Sequence, residues 1–328
     1  MRIPKITLLP LILMTFLVTK ALTAEEANPV EDESDLKHLP QPSPERDETV
    51  RNQAIAAQLA LTDKETEATW LGTGKDQFLA LFLPDTSGKL FANALILHDN
   101  LQNPDWPGVV RELRHELTKG GWSTLSIAVP DYIPSPNIPP LESVQADTDS
   151  QAVEEELDTE ATEPPGMNDA DADTSAASNQ MSGEETDSLP DQLSQRLQLA
   201  TQHISAKNGF PVVIIAVGSS AAFLFKQAQD GALGDVNGLV IIDPLPIPEL
   251  DGMNLEVSEM NFRLPLLDIV PEFNPRSAPE PRAAAARRQR QGLYQQRIIR
   301  GSNRDFRGAE TRLIKTIRGW AETLFQRR

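Results

Sequence analysis

The run Pro211-Val212-Val213-Ile214-Ile215-Ala216-Val217 is the most strand-like segment of the chain, and it turns through Gly218-Ser219-Ser220 into a helix reaching about Ala228. A short apolar run closed by turn residues reads as a buried strand. Upstream, Ala92–Leu97 is a second strand of this kind, and Thr124–Val129 a third. Between them Val110, Leu113 and Leu117 keep helical spacing, with Asp105 expected as N-cap, Pro107 in the first turn and Gly120-Gly121 as the stop. A strand–helix–strand order of this type builds a parallel sheet. Further strands are expected near Thr66–Leu71, Gln77–Leu83, Gly238–Ile242, Leu264–Val270 and Arg297–Arg300. Leu193, Leu197, Ala200 and Ile204 mark a helix before the central strand, started by Ser188 and ended by Gly209. A basic helix is expected near Arg282–Tyr294, and a last amphipathic one carries Leu313, Ile317, Trp320 and Leu324.

The rest of the chain is not globular in composition. Residues 1–24 have Arg2 and Lys5, then an apolar run from Ile6 to Val18, then Ala21 and Ala24, the layout of a secretory signal peptide. That predicts a periplasmic or otherwise exported protein. Lys20 is atypical of a cleavage region, so an uncleaved inner-membrane anchor is the alternative. Residues 25–50 read as a disordered leader, rich in Glu, Asp, Pro and Ser. Residues 131–187 are poor in aromatics and rich in acids, Ser, Thr, Ala and Pro, and read as a disordered insertion. The globular part, residues 51–328, is then one α/β domain interrupted by that insertion, long enough for a real core.

The net charge of −18 is uneven: residues 142–191 hold 16 acids and no base, whereas residues 276–328 sum to +10. No nucleic acid is expected as a partner of so acidic a chain. There is no cysteine, which excludes disulfides, thiolate nucleophiles and Cys-ligated metals. Asp169, Asp171 and Asp173 alternate like a calcium loop, but neither the Gly nor the closing Glu follows at the required spacing, so no metal and no cofactor are assigned.

A serine hydrolase places its nucleophile on a tight turn between strand and helix, with small residues two before and two after. Gly218 and Ala222 flank Ser220 in that way, which nominates Ser220; the plainer reading is a strand ending in a Gly turn with a Ser cap. The order of elements resembles an α/β-hydrolase. Leu95-Ile96-Leu97-His98-Asp99 lies where that fold has an apolar strand ending in His-Gly beside the oxyanion hole. Leu264–Ile269 resembles the strand before the usual acid, and Tyr294–Ser302 the strand before the usual His. With Gly319-Trp320 in the last helix, the chain resembles an uncharacterised proteobacterial family of exported, hydrolase-like proteins. The resemblance implies a mostly parallel sheet with helices on both faces.

The same resemblance exposes departures. Asn274 stands at the acid position, leaving Glu272 or Asp243 as substitutes, and no His follows the last strand. Of the four histidines, His38 lies in the leader, and His115 and His203 lie within helices, His203 toward the opposite end of the sheet. Only His98 is at the right end, and Asp99 beside it would repel an oxyanion. A Ser hydroxyl without a base is a weak nucleophile. The leading expectation is a non-catalytic hydrolase-like domain with a binding or support role in the cell envelope. The alternative is an atypical serine esterase using Ser220, His98 and either Asp243 or Glu272.

Arg287, Arg288 and Arg290 cluster with Arg282. They form either a solvated helix face or an anion-binding face whose partner is an anionic surface or the chain's own acidic insertion. Deleting residues 142–187 is expected to raise binding to anionic vesicles at low salt, measured by co-sedimentation. Unchanged binding would reject shielding by the insertion.

Overall fold

The computed structural model describes residues 47–132, 188–247, 250, 255 and 260–326. The expected signal segment, the leader as far as Arg46 and the acidic insertion from Ile133 to Asp187 lie outside the described residues. The first helix, α1 (Glu48–Thr62), begins inside the stretch expected as leader. Asp47 caps it, accepting from the N–H groups of Thr49 and Val50 at 2.8 and 3.2 Å. Of its residues only Asn52 and Leu59 are buried, too faint an apolar stripe to announce a helix.

The remaining elements follow in the order β1 (Glu67–Leu71), β2 (Phe78–Leu83), β3 (Ala92–Leu97), α2 (Val109–Thr118), β4 (Trp122–Ile127), α3 (Leu189–Asn208), β5 (Val212–Val217), α4 (Ser219–Asp230), β6 (Gly238–Ile242), β7 (Leu266–Pro271), α5 (Glu280–Arg288), β8 (Tyr294–Ile299) and α6 (Glu310–Phe325). They form one eight-stranded sheet, ordered β1-β2-β4-β3-β5-β6-β7-β8. Strand β2 runs antiparallel to both β1 and β4, and the other neighbours are parallel.

Strand side chains alternate between the two faces. Leu95, Leu97, Val212, Ile214 and Ala216 pack with α1, α3, α4 and α5, while Ala94, Ile96, Val213, Ile215 and Val217 pack with α2 and α6. The central strands are therefore buried on both sides, which explains why they are apolar throughout rather than alternating. This is the α/β-hydrolase-like sheet expected from the order of elements. No helix among the described residues is long and apolar enough to cross a membrane.

Several expectations shift. Helix α2 starts at Val109, later than Asp105 would make it, because Asp105 is spent elsewhere. Its carboxylate binds Arg111 (2.6 Å) and the fully buried Arg114, and Gly108 (φ 93°) makes the entry turn. Arg282 does not belong to an exposed basic cluster. It is buried in α5, with Nε 2.8 Å from Asp268 on β7. Asp268 also accepts from Tyr294 Oη (2.5 Å) and Gln296 Nε2 (2.9 Å), so one carboxylate ties β7, β8 and α5 together. The basic helix also ends at Arg288, and the strand begins at Tyr294, three residues before Arg297.

Removing one partner of a buried ion pair leaves an uncompensated charge and costs about 3–5 kcal/mol. Asp268→Ala is expected to lower unfolding free energy by that amount in urea titration. An effect below about 1 kcal/mol, the size of a surface pair, would show that Arg282 does not depend on it.

Candidate active site

In open α/β sheets, ligand chemistry gathers at the carboxyl ends of the strands. Here four loops meet at that end: His98-Asp99-Asn100 after β3, Gly218-Ser219 after β5, Asp243 after β6 and Arg276 after β7. Backbone strain is concentrated there too. Leu101, Asp243, Asn274 and Phe306 all have positive φ, between 44° and 59°, and lie in the loops after β3, β6, β7 and β8.

The residue on the sharp turn between β5 and α4 is Gly218, with φ 62° and ψ −121°. Its N–H donates to the Ile242 carbonyl (3.0 Å) and its own carbonyl accepts from Leu245 N–H (2.9 Å), which fixes the turn against the end of β6. Ser220 lies two residues further on, in the first turn of α4. It is only 1% exposed, and its hydroxyl donates to the backbone carbonyl of His98 at 2.6 Å.

His98 is fully buried at the end of β3. Val129 N–H donates to its Nε2 at 2.9 Å, so the ring proton resides on Nδ1, which donates to the Asp99 carbonyl at 2.7 Å. Both ring nitrogens are thus engaged by backbone. Burial pushes the imidazole down to about 4, so it is neutral at physiological pH. Asp243 is 2% exposed, and burial pushes its carboxyl up to about 6, against the pull of the Arg276 N–H and guanidinium. Arg276 donates to it from its backbone N–H at 2.8 Å and places Nε 3.3 Å from Oδ2. Glu272 is exposed and accepts from Gly301 N–H at 2.7 Å, bridging the loops after β7 and β8. Asn274 is exposed as well.

Of the residues nominated from sequence, Ser220 and His98 therefore meet only through a backbone carbonyl. Asp243 meets Arg276, and Glu272 meets neither Ser220 nor His98 among its hydrogen bonds. Arg276 was not singled out from the sequence. The signal available was Asp99 itself, since a carboxylate expected beside an apolar strand end needs a cation. Arg287, Arg288 and Arg290 sit exposed at the end of α5, and none forms an ion pair among the described residues. Arg287 and Arg290 line a groove of about 530 Å³ with Ala286, Gln291 and Tyr294. No cluster of three His, Asp or Glu suited to a metal occurs among the described residues, and Asp169, Asp171 and Asp173 lie outside them.

The sequence matches the family described as protein of unknown function, DUF3530, over residues 6–323. The chain belongs to DUF3530. No curated protein matches it. Among solved structures, this DUF3530 chain is similar to an esterase from Pyrococcus furiosus, with 9% identity, a TM-score of 0.52, and 79% of this chain and 91% of that one covered. It is also similar to a soluble variant of monoglyceride lipase from Saccharomyces cerevisiae, with 9% identity, a TM-score of 0.51, and 79% and 96% covered. At that identity the likeness establishes the α/β-hydrolase fold of the DUF3530 chain.

His98 and Asp243 give opposite pH dependences. Between about 4 and the ordinary His value, the unfolded chain binds a proton at His98 that the folded chain does not, so stability falls with acidification. Between the ordinary carboxyl value and about 6, the folded chain binds a proton at Asp243 that the unfolded chain does not, so stability rises with acidification. Denaturant titrations from pH 4 to pH 6 should show His98→Gln lowering the slope of stability against pH by ~1.4 kcal/mol per unit, and Asp243→Asn raising it by a similar amount. Equal slopes in wild type and both variants would contradict these environments.

Proposed function

We propose that this protein is an exported α/β-hydrolase-like domain that performs no hydrolysis and serves a binding or support role in the cell envelope. One observation carries the reading. A nucleophile elbow presents the side chain of the residue on its strained turn, and here that residue is Gly218, which has no side chain. Three further observations support it. Ser220 spends its proton on the His98 carbonyl, and His98 has neither nitrogen free to take one. The loop after β8, Gly301-Ser302-Asn303-Arg304-Asp305-Phe306, contains no His, and Asn274 stands where the acid belongs. Without a base, a hydroxyl attacks slowly. The export half of the reading rests on Arg2, Lys5, the apolar run Ile6–Val18 and the small residues Ala21 and Ala24. Arg287, Arg288 and Arg290, which form no ion pair among the described residues, are the face offered for an anionic partner.

The test is a fluorophosphonate probe applied to purified, folded protein, with a known serine esterase as positive control. No labelling is expected. Labelling that disappears in Ser220→Ala would overturn the reading and establish a serine hydrolase on Ser220.

A further inference from the structure

We propose that the elbow is a carboxylate cradle whose resident ligand is the chain's own Asp99, so that the position of a reactive side chain is taken by a cross-link between loops. The inference rests on the non-hydrolytic reading of the same site and specifies what occupies it.

A hydrolase elbow has two backbone N–H groups aimed at the developing oxyanion. One comes from the residue after the nucleophile, the other from the loop after the β3-type strand. With Gly218 on the turn, the corresponding groups are Ser219 N–H and a N–H of the His98-Asp99-Asn100 loop. Both converge on one oxygen. Asp99 Oδ1 accepts from Ser219 N–H at 2.7 Å and from Asn100 N–H at 2.8 Å, and the Ser219 hydroxyl donates to it at 2.9 Å. Asp99 Oδ2 is ion-paired with Arg276 Nη1. The carboxylate is thus held by one amide at the start of α4, one amide of its own loop, a hydroxyl and a guanidinium, the donor set of a built anion site.

The space is filled as well as the hydrogen bonds. A Cβ placed on Gly218 would lie 2.1 Å from Asp99 Cγ and 2.2 and 2.4 Å from its two oxygens. The Asp99 side chain therefore stands where the side chain of an elbow nucleophile would begin. Gly218 and Asp99 require each other: a nucleophile cannot return while Asp99 is present, and Asp99 cannot lie there unless residue 218 lacks a Cβ. Arg276 then extends the link to Asp243, so loops after β3, β5, β6 and β7 close on a single charged cluster.

A double-mutant cycle and a rescue experiment test this by thermal unfolding, with no readout of activity. In wild type, Gly218→Ala meets both a positive φ and the Asp99 carboxylate. In the Asp99→Gly background only the φ penalty remains. The melting temperature should therefore drop roughly 5 °C more in wild type than in Asp99→Gly. Failure of Gly218→Ala to fold, with the double variant folded, is the strong form of that result. Equal drops would overturn the proposal. In parallel, sodium formate at tens of millimolar should raise the melting temperature of Asp99→Gly saturably, with no such rise for sodium chloride, for wild type, or for Asp99→Gly combined with Arg276→Ala. No difference between formate and chloride would refute the cradle. If Asp99→Gly does not fold unaided, refolding in formate but not in chloride supports the cradle, and failure in both refutes it. A wild type that labelled with fluorophosphonate would sink the non-hydrolytic reading while leaving these melting shifts as they stand, so the two failures are distinguishable.

Discussion

Strand β5 is covered by helices on both faces, and this constrains everything at the carboxyl end of the sheet. The chain leaving Val217 has to reverse within one residue so that α4 can run back across the strands it has just left. That reversal needs a positive φ, which glycine adopts without strain. Gly218 supplies it, and its amide and carbonyl are then used to hold the start of the loop after β6. The turn sets where Ser219 N–H points, and from this follows the seat of Asp99, the reach of Arg276 and the burial of Asp243.

Two arginines, Arg282 buried and Arg276 half-buried, serve that end and flank of the fold in parallel ways. Arg282 fixes Asp268, a charge in the middle of an apolar strand, and Arg276 fixes Asp99 and Asp243 at strand ends. In each case a carboxylate that would be expensive to bury alone has a guanidinium with several donors against it. Both arginines come from the basic C-terminal region of an otherwise acidic chain. Part of its positive charge is therefore internal wiring rather than a surface for partners, while Arg287, Arg288 and Arg290 are among the cations of that region left exposed.

The sheet was readable from sequence because its strands are buried on both faces and so appear as unbroken apolar runs. Ala92–Leu97, Val212–Val217 and Gly238–Ile242 fall where their composition puts them. Helix α1 was not readable, because only Asn52 and Leu59 of it are buried, much of its attachment is by ion pairs from Glu48 and Arg51, and its cap, Asp47, adjoins a stretch with leader-like composition. The site was half legible. The missing His, the displaced acid and the odd Asp99 are matters of identity at ordered positions. Which residue occupies the turn is a matter of φ, and Gly218 and Ser220 differ there by two residues with no change in the surrounding pattern. The partnership of Arg276 with Asp99 spans 177 positions and leaves no periodic trace.

The acidic insertion departs from the fold at a tied end. Tyr132 N–H donates to Asn100 Oδ1 and Asn100 Nδ2 donates back to the Tyr132 carbonyl, both at 2.8 Å, while Asp131 pairs with Arg51. The chain returns at Ser188, whose hydroxyl accepts from Asp191 N–H to start α3. Both points where the described chain breaks off and resumes are thus fastened by local contacts of the described fold. Asn100 also donates to Asp99, so the loop that seats the carboxylate also fixes the point where the chain leaves the described fold.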